Sequence, residues 1–128
     1  MLEKLSIDAI ENIFDHLPVE ISFVDADDTV QYYSHGDRRI FRRTPAVIGR
    51  KVQNCHPTKS VHVVQQILDD FKSRKRDVAE FWINLREHLI YIRYFAVRDN
   101  ESNYQGVIEV TQDITDIQKI EGEKRLLD

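Results

Sequence analysis

At 128 residues the chain is long enough for one domain built on one core. Hydrophobic residues at 41% and charged residues at 31% are typical of a globular chain and exclude a disordered one. The net charge of -4 gives no drive towards nucleic acid, the single cysteine, Cys55, excludes an internal disulfide framework or a cysteine-based zinc cluster, and no apolar run approaches the ~20 residues of a membrane span.

The first segment carries Ile7, Ile10, Ile13, Phe14 and Leu17 at helical spacing behind Ser6, a suitable N-cap, and Pro18 ends the pattern. Residues 1–18 are therefore expected to form an amphipathic, dimerising N-terminal helix. ISFVD (21–25) and TVQYY (29–33) follow as two short strands, with Ala26, Asp27 and Asp28 as the turn. From Ser34 to Ser60 the strand signal gives way to short helical pieces. These are GDRRIFRR and a piece opened by Thr44 and Pro45 and stopped at Gly49. From Ser60, Val61, Val64, Ile67, Leu68 and Phe71 mark one face of a longer helix, closed by Lys72, Arg74, Lys75 and Arg76, cations that suit a helix C-terminus.

Three more strands are expected from VAEFWINLR, IYIRYFAV and GVIEVTQ, with turns near Glu87 and across 99–103. Strands joined by short turns pair antiparallel. The expected fold is α+β: a five-stranded antiparallel sheet with helices packed on one face, flanked by N-terminal and C-terminal helices. The strand from Leu89 to Val97 is apolar on both faces, so the N-terminal helix, of this chain or of a second copy, should cover the face opposite the other helices. At the end, Thr115 and Gln118 have the spacing of a capping box. Ile117, Ile120 and Leu127 then fit a short a/d register that runs into the charged ending EGEKRLLD, as if cut from a longer protein.

This order of elements, closed by the DIT at Asp113, Ile114 and Thr115, resembles the PAS domain family, the small sensory modules of signalling proteins. More narrowly, the middle, SHGDRRIFRRTPAVIGRKVQNCHPTKS, resembles PAS domains at the end of bacterial proteins that also carry a helical hemerythrin-like domain. A first hairpin turn that often holds Gly in the family holds Asp28 here, and Asp tolerates the left-handed backbone such a turn needs. The resemblance implies a sensor domain over 19–114 with a half-open cup for a ligand, and a signalling helix starting over 115–128. The single cysteine reads as a reducing, cytoplasmic setting, and pairing of the N-terminal helices and the outer sheet faces would make a symmetric homodimer.

The expected pocket residues are Cys55, His56, Phe41, Val64, Leu68, Ile108 and Gln112, with a small apolar molecule as occupant. Asp113 and Thr115 match the relay motif residue by residue. Gln112 shares a strand face with Ile108 and Val110 by period-two counting, and in the family a polar group there can feel the ligand. The Cys55-His56-Pro57 cluster offers an alternative, a haem-binding redox or gas sensor with His56 as axial ligand. The bland reading of the same residues is a cap on the following helix, with Cys55 as a small hydrophobe. Asn54-Cys55 also resembles the flavin-binding branch of the family, but His56, Pro57 and Thr58 stand where basic and aromatic residues belong, which argues against flavin.

The cations Arg38, Arg39, Arg42, Arg43, Arg50 and Lys51 read as a solvated helix face, or else as a patch for an acidic partner; with only Phe41 interleaved they do not read as a nucleic-acid surface. His16, His35, His62 and His88 are too scattered for a metal site. No G-x-S-x-G, P-loop or GxGxxG is present, and neighbours on an extended backbone point to opposite sides, so Cys55 and His56 are not expected to activate each other. An enzyme is not expected.

Overall fold

Turn chemistry sets the topology of the computed structural model, which describes residues 1–128. Asp28 adopts a left-handed backbone (φ 65°) between β1 (Glu20–Asp25) and β2 (Val30–Tyr33), as its tolerance of that region allows. Arg86 (φ 51°) and Glu87 (φ 68°) form a two-residue turn between β3 (Val78–Leu85) and β4 (His88–Arg98). In the loop before β5 (Tyr104–Asp113), the Asp99 carboxylate accepts from the backbone N–H groups of Glu101 and Asn103. All pairings are antiparallel, in the order β2-β1-β5-β4-β3.

Register then decides which side chains meet. Val24 faces Val107, Ser22 faces Glu109, and Glu20 faces Thr111 across β1 and β5. On the far side of β5 the same residues meet Ala96, Tyr94 and Ile92. Helix α2 (Thr58–Lys72) covers this inner face with Val64, Ile67, Leu68 and Phe71, and the core forms between them and Val24, Val30, Val52, Ala79 and Val107. Gly106 is where β5 comes closest to β1: at φ 145° a Cβ there would lie 2.1 Å from the Val24 carbonyl oxygen.

The short helical pieces expected in the middle segment form as single 3₁₀ turns, Gly36–Arg38, Pro45–Val47 behind Thr44, and Val52–Cys55, while two other expectations are corrected. The segment's backbone groups are taken by β2 and the first turn instead of by a helix: Val30 N–H donates to Arg50, Gly49 N–H to Val30, and Val52 N–H to Asp28. Helix α1 (Ile7–Asp15), capped by Ser6 as expected, covers only the β2 edge of the outer face, through Phe14 against Tyr32 with ring centroids 5.8 Å apart. Its Ile7 and Ile13 are exposed, and so are Val78 and Trp82 on the outer face of β3.

The second correction is at the end of the chain, where the expected exit helix is a single 3₁₀ turn, Ile117–Lys119, and no capping box forms between Thr115 and Gln118. A helix of this length gains too little from its own hydrogen bonds. With Ile120 and Leu127 packed on nothing, no tertiary contact makes up the difference.

Candidate functional site

The segment between β2 and α2 is held to the sheet by one buried ion pair that the sequence pattern did not reveal. Arg39 and Glu20 are both buried, 3.7 Å apart. The guanidinium donates to the carbonyls of Ile21, Ser34 and Phe41 and to Ser22 Oγ, and the Glu20 carboxylate accepts from the N–H groups of Ile40 and Phe41. Each charge is therefore met by several hydrogen bonds, the condition under which a buried pair is tolerated. The consequence is positional: residues 39–43 are fixed beside the inner face, and Arg43 reaches into it.

The cup lies between this segment, α2 and the inner sheet face. A small, partly open cavity of about 30 Å³ is walled by Val24, Val52, His56, Val64, Ile67, Leu68, Tyr94, Val107 and Glu109. A second, of about 20 Å³, adds Cys55, Tyr33, Arg43 and Val47. Outward, His56, Val64, Ile67 and Tyr94 also wall an apolar groove of about 290 Å³ that runs over Phe81, Ile83 and Ile92 and opens to solvent.

Three polar side chains converge at the inner end of that groove. Burial, with the nearby Arg43 charge, lowers the His56 pKa and favours neutral imidazole. Burial also pushes the Tyr94 phenol far above its ordinary value, so its hydroxyl keeps its proton. Neither group has a hydrogen-bond partner in the protein. The Glu109 carboxyl is raised by burial, against the pull of Arg43 and Arg39. Arg43 is 4.0 Å away, too far for a hydrogen bond, and the other polar neighbour is the buried Thr111 hydroxyl.

Of the expected pocket residues, Cys55, His56, Val64 and Leu68 line the cavities. Phe41 lines a different depression of about 700 Å³ beside Arg42, Arg86 and His88. Ile108 and Gln112 are corrected outright, because the register puts Val107, Glu109 and Thr111 inside and their neighbours on the outer face. The cup-lining residues not expected from the sequence are Glu109, Tyr94 and Arg43. The solvated-helix reading of the cation run is corrected too: no helix forms there, Arg39 is buried, and Arg43 faces Glu109.

The structure also bears on two cofactor and relay expectations. His56 walls a cavity of about 30 Å³ and one end of the groove of about 290 Å³, and neither space is large enough for a porphyrin, so haem does not fit beside this imidazole. At the other end of the sheet, Asp113 and Thr115 form a clasp. Asp113 Oδ1 accepts from Thr115 N–H (3.0 Å) and Thr115 Oγ1 (2.6 Å), and Asp113 Oδ2 lies 2.6 Å from His88 Nδ1. Leu89 N–H donates to Thr115 Oγ1 at 2.9 Å, and Ile114 N–H to the Leu89 carbonyl. The segment leaving β5 is thus tied to the first residues of β4.

Comparison with known proteins gives a consistent result. The family model described as PAS domain matches residues 10–115. The C-terminal domain of a Streptococcus mutans protein is 35% identical, with a TM-score of 0.85 over 91% of this chain and 91% of that one. The PAS domain of BvgS from Bordetella pertussis (14% identity, TM-score 0.64, 88% and 89% covered) and a sensory box sensor histidine kinase from Vibrio cholerae (12%, 0.59, 83% and 89%) share the fold. No curated protein matches the sequence. No helix is long and apolar enough to cross a membrane.

Proposed function

The chain belongs to the PAS domain family, and from that premise we propose that it is a non-enzymatic sensory and dimerisation module. Its cup takes a small, mostly apolar molecule, and occupancy is passed through the Asp113–Thr115 clasp to the segment beyond β5. The observation that carries this reading is the apolar groove between α2 and β3–β4, which continues into the cavities walled by His56 and Glu109. At about 290 Å³ it stands at the small end of ligand pockets.

Family members are generally sensory and non-catalytic, and the groups converging here suit binding. His56 has no nucleophile beside it: the Cys55 thiol donates to the Lys51 carbonyl at 3.6 Å. The lone thiol supports a cytoplasmic setting, and the middle segment supports association with a hemerythrin-like domain. Native mass spectrometry of protein isolated from its own host should find a dimer carrying a bound small molecule. An apo monomer, confirmed by sedimentation at high micromolar concentration, would overturn the reading.

A further inference from the structure

The floor of the cup is more polar than an apolar ligand requires. Glu109 stands near the middle of the inner face, between Ser22 of β1 and Tyr94 of β4, where a valine would complete the core. A carboxyl has about four lone-pair sites, and this one has only the Thr111 hydroxyl beside it and Arg43 at 4.0 Å. His56 and Tyr94 reach the same space with no partner of their own. All three are partly exposed at the end of an open apolar groove and are not fully matched within the chain, so each can take a partner from outside it.

Resting on the cup reading above, we propose that the occupant is an uncharged, mostly apolar molecule with a hydrogen-bonding edge, at least one N–H or O–H of which is received by Glu109 while His56 and Tyr94 flank it. Charge balance sets the first property. Arg39 is matched by Glu20 and Arg43 by Glu109, so an ionic ligand would bring an unmatched charge against a mostly apolar, partly desolvated wall. The chemistry of the three side chains sets the second. Tyr94 donates, neutral His56 offers one donor and one acceptor, and Glu109 accepts when ionised. A ligand with both donor and acceptor on one edge, such as a nitrogen heterocycle, matches them. The apolar remainder lies along Val64, Ile67, Phe81 and Ile83.

Benzimidazole and indene, near-isosteric with and without a hydrogen-bonding edge, make the test, titrated against the whole chain at pH 7.5 and followed by amide chemical shifts. Benzimidazole should bind roughly tenfold to a hundredfold more tightly. In Glu109→Leu the ratio should fall to near one while indene binds no more weakly. Glu109→Gln, which keeps the shape and an acceptor, should retain part of the preference and guards against misfolding of the leucine variant. Equal binding of both probes to the wild type, or an unchanged ratio in Glu109→Leu, would overturn the donor requirement and leave the cup reading standing. Binding of neither probe at millimolar concentration would count against both.

Discussion

At the scale of single residues, the cup is defined by two acids treated in opposite ways. Glu20 is buried with a guanidinium and two backbone donors; Glu109, partly exposed at the cup, has only a distant guanidinium at 4.0 Å. Removing Arg39 leaves the first acid without its counter-ion and frees the segment that carries Arg43. Arg39→Met should therefore cost about 3 kcal/mol in urea unfolding, whereas Arg42→Met, at an exposed site, should cost under about 0.5 kcal/mol. For Glu109, the folded pKa is raised above the ordinary 4.5, so the folded state holds its proton more tightly than the unfolded state does. Stability contributed by the protonated acid is complete below about 4.5 and is lost as pH rises through the folded value. The stability difference between Glu109→Gln and the wild type should therefore grow in favour of the variant from pH 4.5 upward. A difference independent of pH would show that the acid is not desolvated in the fold.

At the scale of elements, β5 links the cup to the exit, and its last residues make the clasp. Thr115→Val removes the acceptor of the Leu89 N–H and the donor to Asp113 while keeping the side-chain shape. It should cost about 1 kcal/mol. Hydrogen exchange should quicken at Leu89 and Ile114, whose N–H groups are tied by the clasp, and stay slow at Val107 in the core. Equal quickening throughout the sheet would argue against a local clasp. The same strand shows what was legible in the sequence. Its existence, its place in the order of elements and the DIT at its end followed from β-branched residues and turn signals. Which face looked inward did not follow, because Ile108 and Val110 are the more apolar set while Glu109 and Thr111 face the cup. Hydrophobic parity fails where a sheet faces a binding site and where its other face is also apolar, and both conditions hold here. The buried Arg39 was hidden similarly, since one cation in a run of six looks like surface until its hydrogen bonds are known.

At the scale of the whole molecule, the dimer proposed above would form on the outer face. Phe23, Phe95, Ile108 and Val110 share that face with exposed Trp82 and Val78, and only the β2 edge is covered, by α1. The helix itself leaves Ile7 and Ile13 in solvent. Two complementary apolar surfaces on one chain are the ingredients of a self-matching two-fold interface, α1 of each copy lying on the uncovered part of the other's sheet. Trp82→Arg should weaken self-association by roughly tenfold or more in sedimentation velocity, as loss of a large interface aromatic does, and leave the benzimidazole preference unchanged because Trp82 faces away from the cup. A variant that stays dimeric would place the self-association elsewhere than on this face.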